Sequence, residues 1–80
     1  MKSKWQNSDV SKLYRNRVRE CRLSALIPSQ EELATRTGIN RATICALENN
    51  RLFLSSRNAL IISGVLGCSL DDLYQRRNAA

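Results

Sequence analysis

The chain has 80 residues, of which 42% are hydrophobic, and a formal net charge of +6. We expect one domain with a small core, because a chain of this length leaves no room for a separate catalytic or ligand-sensing domain. The absence of His and of a phosphate-binding loop, and the wide spacing of the three Cys residues, argue against an enzyme, a bound metal and a cofactor. The longest apolar stretch, 59–66, is too short to span a membrane, so we expect a cytoplasmic protein.

The first part of the chain carries the excess positive charge. Seven Lys and Arg residues stand against two acids through Ser29, and six stand against five acids afterwards. Two interpretations are open: an ordinary solvated helix face, or a surface that contacts phosphates. Residues 1–9 have no apolar periodicity and are predicted to be a flexible N-terminal arm, whose Trp5 would dock on the domain or on a partner. We expect the folded domain to cover 10–76 and a C-terminal tail to cover 77–80.

The first helix is predicted to run from Val10 to Leu23. At helical spacing it would bury Val18, Cys21 and either Leu13 or Tyr14. A second face of this helix carries three basic residues, Arg15, Arg19 and Arg22.

Two short helices joined by a turn are predicted between Ser29 and Asn50. Ser29 and Glu32 form the pattern of a capping box, so a helix should begin at Gln30. It should stop at Gly38, because glycine adopts the left-handed conformation of a helix end at no steric cost. Asn40 is a suitable N-cap for the next helix. The inward positions of that helix are Ile44 and Leu47, and the outward positions are Arg41, Ala42, Cys45 and Ala46.

Two further helices are predicted after a loop at 51–54. Ser55 or Ser56 can cap a fourth helix, which Gly67 ends. Ser69 with Asp72 predicts a short fifth helix from Leu70 to about Arg76.

From about Asn16 to Tyr74 the chain resembles the Cro/C1-type (XRE-like) helix-turn-helix family of phage and bacterial regulators. The resemblance rests on separated blocks: SQEELA, the Gly38-Ile39 turn, LEN at Leu47 to Asn49, and LGCSLDDLY at Leu66 to Tyr74. It implies an all-α, compact five-helix, lambda-repressor-like DNA-binding domain. Asn50 departs from the glycine that is usual in the family, which is tolerable because Asn also visits the left-handed region.

The resemblance implies a sequence-specific transcriptional regulator that acts as a homodimer on a palindromic operator, most simply as a repressor. Two alternatives are open: an antitoxin that binds both its operator and a toxin, and a protein-interaction module with weak DNA binding. A neighbouring toxin gene would indicate the first alternative, and weak, salt-independent DNA affinity would indicate the second.

In a helix-turn-helix the start of the second helix faces base edges, and the first helix crosses the phosphate backbone. The predicted base-reading residues are Arg41, Ala42, Cys45 and Ala46, with Arg41 as the candidate reader of guanine. The predicted phosphate-binding residues are Gln30, Asn40, Thr43, Asn49 and Arg51. Glu48 would repel DNA if it faced the groove, so we expect it in an internal ion pair or cap.

Alternatives also remain for the apolar residues near the C-terminus and for one cysteine. The cluster of Leu52, Phe53, Leu54, Leu70, Leu73 and Tyr74 completes the core or forms a dimer patch. We expect Leu70 and Leu73 in the core and treat Phe53 and Tyr74 as a candidate dimer interface. Cys45 is either a small apolar residue or, beside Arg41, a redox-sensitive thiol.

Overall fold

The structure, a computed structural model, describes residues 11–77. Five helices and two three-residue strands lie wholly within this range. In chain order they are β1 (Tyr14–Asn16), α1 (Val18–Ser24), α2 (Gln30–Thr37), α3 (Arg41–Glu48), α4 (Ser56–Leu66), α5 (Leu70–Leu73) and β2 (Tyr74–Arg76). The predicted all-α, five-helix fold class is confirmed, with a small two-stranded ribbon added to it. The predicted arm at 1–9, including Trp5, and residues 78–80 of the predicted tail lie outside the described residues.

The ribbon overturns the prediction for the first helix. Strands β1 and β2 pair antiparallel, with Tyr14 opposite Arg76 and Asn16 opposite Tyr74. Continuous helix from Val10 to Leu23 is therefore wrong. Residues 11–13 are helical, but 14–16 are extended, and helix resumes only at Val18, where α1 begins. The pairing joins segments from the two ends of the described chain. No local pattern in the sequence predicts such a pairing.

The same pairing shortens the last helix. The Ser69 hydroxyl accepts the Asp72 N–H at 3.1 Å and the Asp72 carboxylate accepts the Ser69 N–H at 3.1 Å, so the predicted capping box is confirmed. Helix α5 nevertheless ends at Leu73, because Tyr74 enters β2 with φ −119° and ψ 142°. The prediction that this helix reaches Arg76 is wrong.

The core consists of at least one apolar residue from each helix and of one residue from each of two loops, Ile27 and Leu54. Its buried side chains are Val18, Ile27, Leu33, Ile44, Leu47, Leu54, Ala59, Ile62 and Leu73. Of the two leucines predicted for the core in α5, Leu73 is fully buried and Leu70 is 41% exposed. With only four residues, α5 makes one turn and supplies a single buried side chain within the described structure.

Three of the predicted helix boundaries follow from local capping. Helix α2 begins after Ser29, helix α3 begins after Asn40, and helix α4 begins after Ser55, and each of these side chains accepts a backbone N–H from the first turn. Both α2 and α4 end at a glycine in the left-handed conformation, Gly38 and Gly67. These predictions are confirmed, and they place α2 and α3 as a helix-turn-helix on one side of the core.

Candidate nucleic-acid interface

A tight turn holds α2 against α3. Gly38 has φ +75°, and its N–H donates to the carbonyl of Ala34 at 2.8 Å to close α2. A Cβ at this position would meet no atom within 4 Å, so the positive φ alone favours glycine. Two residues later the Asn40 side chain accepts the N–H of Ala42 at 2.7 Å and opens α3. The backbone of the first turn of α3 is therefore anchored.

The start of α2 is capped differently from the prediction. The Ser29 hydroxyl accepts the Glu32 N–H at 3.1 Å, which is half of a capping box. The Glu32 carboxylate does not complete the box but accepts a bond from Arg36 at 3.0 Å, one turn along the helix. The helix start is thus stabilised by one side-chain bond and by the acids of the first turn, which suit the positive end of the helix dipole.

The first turns of α2 and α3 meet at a shallow groove. Gln30, Arg41, Ala42 and Cys45 line this concavity of about 390 Å³, which we call the reading groove. Three of the four predicted base-reading residues and one predicted phosphate-binding residue therefore lie together. Ala46, the fourth base-reading candidate, is half-buried and does not line the groove.

The Arg41 guanidinium has no partner among the described residues. Its side chain is exposed, and within residues 11–77 it takes part in no ion pair or side-chain hydrogen bond. No acidic side chain lines the reading groove. An unpaired cation at the rim of a groove without acids is available to an anionic or hydrogen-bond-accepting partner.

A buried ion pair lies behind the reading groove. Arg22 Nε donates to Glu48 Oε2 at 2.7 Å, and Arg22 Nη2 donates to Glu48 Oε1 at 3.3 Å. The Arg22 and Glu48 side chains are only 7% and 2% exposed. Gln30 Nε2 donates to the same Oε1 at 3.1 Å, and Arg22 Nη1 donates to the carbonyl of Ile27 at 2.9 Å. The prediction that Glu48 lies in an internal ion pair is confirmed.

This cluster joins three helices and holds one candidate contact residue. Arg22 comes from α1, Gln30 from the start of α2 and Glu48 from the end of α3. Because Gln30 donates to a carboxylate that is itself fixed, its amide is held at the rim of the reading groove rather than free to rotate. Glu48 is neutralised by Arg22, so it does not repel a phosphate that approaches Gln30.

Sequence reasoning missed Arg22, which was grouped with Arg15 and Arg19 on another face of the first helix. Arg22 is four positions after Val18, which is buried, so helical periodicity alone places both residues on the same side. A buried Glu48 also requires a cationic partner. Two signals in the sequence were therefore available: the inward position of Arg22, and the requirement of a buried Glu48 for a cationic partner.

The remaining predicted phosphate-binding residues are at the surface. Asn40 and Asn49 are exposed, and Thr43 is half-buried. Asn49 Nδ2 donates to the carbonyl of Cys45 at 2.9 Å, and an Arg51 Nη2 lies 4.0 Å from the Cys45 sulfur. Arg51, which follows α3, is therefore a second cation near Cys45, besides Arg41, which lines the same groove.

A further cation lies near the turn. Asn40 and Thr43 share a small concavity of about 270 Å³ with Arg57, from the first turn of α4. Arg57 is exposed and, in the described part of the chain, has no ion pair. Sequence reasoning did not single out Arg57, although a basic residue just after a helix cap is a recognisable signal for an accessible cation.

Phe53 and Tyr74 contact each other away from the reading groove. Their ring centroids are 6.1 Å apart at an interplanar angle of 32°. The Tyr74 hydroxyl donates to the carbonyl of Leu54 at 2.6 Å, and partial burial raises the Tyr74 pKa. Phe53 is 42% exposed and Leu52 is 44% exposed. Tyr74 is thus partly a structural residue, whereas Phe53 and Leu52 present apolar surface to solvent.

Two negative findings hold for residues 11–77. None of the helices in this range is long and apolar enough to cross a membrane. No group of three or more His, Cys, Asp or Glu side chains there is placed to hold a metal ion.

Comparison with known proteins agrees with the geometry. A family model described as helix-turn-helix matches residues 18–73. The match begins at the first residue of α1 and ends at the last residue of α5, so it covers the five helices and leaves out both strands. No curated protein and no solved structure matches the chain.

Proposed function

This chain belongs to the Cro/C1-type helix-turn-helix family of DNA-binding transcriptional regulators, and we propose that it is a sequence-specific repressor that binds a palindromic operator as a homodimer. A regulator of a phage or bacterial family acts in the cytoplasm, which is where we propose that this protein works. Its proposed mechanism is occlusion of a promoter.

The observation that carries the proposal is Arg41 at the start of α3, which has no ion-pair partner within residues 11–77 and lines the reading groove with Ala42 and Gln30. In a helix-turn-helix the N-terminal residues of the second helix meet base edges in the major groove. The Arg41 guanidinium can donate two hydrogen bonds, to the O6 and N7 of a guanine. Such a contact contributes about 1–3 kcal/mol of discrimination against other bases.

The small residues of α3 support close approach. Ala42 is exposed and Ala46 is half-buried, and neither extends a long side chain from the helix. Methyl groups of this size can contact thymine methyls. Cys45 lies between them on the same side and is proposed as a third short contact residue.

Gln30 is proposed to bind a backbone phosphate. It lies in the first turn of α2, where backbone donors and the helix dipole favour an anion. The Glu48 carboxylate holds its amide at 3.1 Å. We extend the phosphate contacts to Asn40, Thr43, Asn49 and Arg51, and we add Arg57 because it shares a concavity with Asn40 and Thr43.

The proposed homodimer forms through Phe53 and Tyr74. Exposed Phe53 and Leu52 supply apolar surface of the kind that marks interfaces. A two-fold dimer would place two recognition helices about 34–36 Å apart, in successive major grooves. We expect Phe53→Ser to shift the protein from dimer to monomer in analytical ultracentrifugation. A Phe53→Ser protein that sediments as the wild-type dimer would refute this interface.

Selection of bound duplexes from a random pool, at fixed salt, tests the function. We expect the wild type to enrich a two-fold palindrome that contains a guanine in each half-site. Arg41→Ala should lose that guanine preference and lose about 5–150-fold in affinity for the selected site, while its affinity for random DNA falls much less.

Arg36→Ala is the matched control. It removes the same charge from an exposed position on α2, where Arg36 pairs with Glu32 and does not line the reading groove. The control should select the wild-type palindrome. If the wild type enriched no sequence, or if Arg41→Ala weakened specific and random binding equally, Arg41 would not be a base-reading residue.

A further inference from the structure

Two of the three cysteines line one cavity, which shares no lining residue with the reading groove. Cys21 lies on α1 and Cys68 follows the Gly67 cap of α4, and Cys68 is one of the neighbouring groups that raise the Cys21 pKa. Both line one solvent-open cavity of about 330 Å³, and both pack against the core. Cys45, on α3, does not line this cavity.

We propose that Cys21 and Cys68 are an oxidisable dithiol, which forms a disulfide by exchange with a small disulfide of the glutathione class and thereby fastens α1 to the turn between α4 and α5. The proposal does not depend on DNA binding. It concerns a covalent modification of a face that the proposed function does not use.

The chemistry proceeds in two exchange steps. The Cys68 thiolate attacks one sulfur of oxidised glutathione, and the first glutathione leaves as a thiolate. The Cys21 thiolate then attacks the Cys68 sulfur of the mixed disulfide, and the second glutathione leaves. The two protein thiols are oxidised to one disulfide, the glutathione disulfide is reduced to two thiols, and the two protons pass to the departing thiolates.

The surroundings of the pair favour this order. The Cys21 Sγ donates to the carbonyl of Asp72 at 3.4 Å. Burial, with the neighbouring Cys68, raises the pKa of Cys21 to about 11, while Arg17 in the same cavity opposes the shift. Cys21 is therefore almost entirely protonated near neutral pH, so we assign it the second, resolving step.

The Cys21–Cys68 disulfide would change the stability of the domain and leave its DNA contacts unchanged. The cavity is lined by residues from the segments 17–25 and 66–72, and none of its lining residues comes from α2 or α3. A disulfide between residues so far apart in sequence restricts the unfolded chain strongly, which stabilises the folded state. The oxidised domain should resist unfolding while its operator contacts remain in place.

The experiment uses the full chain with Cys45→Ser, which leaves the pair intact and removes the other route to intermolecular pairing. The folded protein is equilibrated with oxidised and reduced glutathione in defined ratios, at neutral pH. We expect both thiols to be lost together, the intact mass to fall by about 2 Da, and a digest to contain the linked Cys21 and Cys68 peptides. The melting temperature should rise by about 10 °C and return on reduction.

Cys68→Ser in the same background is the matched variant. It should accept no cross-link, and its melting temperature should not change on oxidation. The proposal is overturned if, in the most oxidising buffer, both thiols of the Cys45→Ser protein stay free or each carries its own glutathione. A linked peptide accompanied by a lower melting temperature would also overturn it, because the bond would then strain the fold.

Discussion

Removing one partner of the Arg22–Glu48 ion pair should destabilise the domain severely. The two side chains are 7% and 2% exposed and are joined at 2.7 Å. Arg22→Met leaves a buried carboxylate without its cation, a change that costs about 3–5 kcal/mol in buried pairs. An 80-residue domain has a total stability of about 4–12 kcal/mol. The variant should therefore lose a large part of its free energy of unfolding.

Urea denaturation followed by circular dichroism measures the loss. The exposed pair of Arg36 and Glu32 supplies the control, since it is also a side-chain ion pair but lies at the surface of α2. Arg36→Met should cost about 0.3–0.5 kcal/mol. If Arg22→Met cost as little as Arg36→Met, burial would not be the reason that this pair matters.

A double variant separates stability from positioning. Arg22→Met combined with Glu48→Leu replaces both charges by apolar groups, and such replacements are often neutral or stabilising. Its free energy of unfolding should recover most of the single-variant loss. Its DNA affinity should not recover, because Gln30 has lost the carboxylate that holds its amide. A double variant that bound the selected site as tightly as the wild type would refute the positioning role of this cluster.

Three further predictions concern Asn50, which follows α3, its neighbour Arg51, and the start of α5 at Ser69. Asn50 has φ +54° and its Oδ1 accepts the Asn16 N–H at 2.9 Å. Asn50→Gly loses only this hydrogen bond and should be destabilised by about 1 kcal/mol in urea titration. Asn50→Ala should lose about twice as much, because alanine is also strained at a positive φ. Arg51→Ala should weaken specific and random DNA binding by similar factors and lower the salt slope of log K by about 1, measured by fluorescence anisotropy across salt concentrations. The hydrogen bonds from Ser69 lower the pKa of Asp72 in the folded protein below 3.8. The stability that they contribute is present above pH 3.8 and is lost as the pH falls through the folded pKa of Asp72. NMR titration should find a higher Asp72 pKa in Ser69→Ala.

The elements that were predicted correctly carry their signals within a few residues. Ser29, Asn40 and Ser55 each accept an N–H from the adjacent helical turn, and Gly38 and Gly67 each end a helix. Such caps depend on local backbone geometry, which a short stretch of sequence determines. The helix-turn-helix could therefore be predicted together with its boundaries.

The elements that were predicted wrongly depend on distant partners. Tyr14 and Tyr74 belong to strands only because the two ends of the described chain pair with each other. Local propensity in YRN or YQR does not distinguish this outcome from another helical turn. Arg22 was misplaced for a related reason, since a charged residue is expected at the surface until its buried partner on another helix is known.

The outward side of α3 was predicted more completely than the surface around it. The side chains of α3 that face outward follow from its 3.6-residue period once Asn40 is recognised as its cap. The groove between α2 and α3, and the approach of Arg57 to Asn40 and Thr43, require the relative positions of three helices. No sequence pattern in the chain supplies that information.

Hydrogen bonds fix α3 at both of its ends. The Asn40 cap and the Gly38 turn anchor its start, and Asn16 anchors its end. Asn16 Nδ2 donates to the carbonyl of Leu47 at 2.7 Å, and its Oδ1 accepts the N–H of Val18 at 3.1 Å. Side chains held on a rigid element lose less freedom on binding than side chains on a mobile one. The ribbon lies outside the part of the chain that matches the family, yet through Asn16 it orients α3.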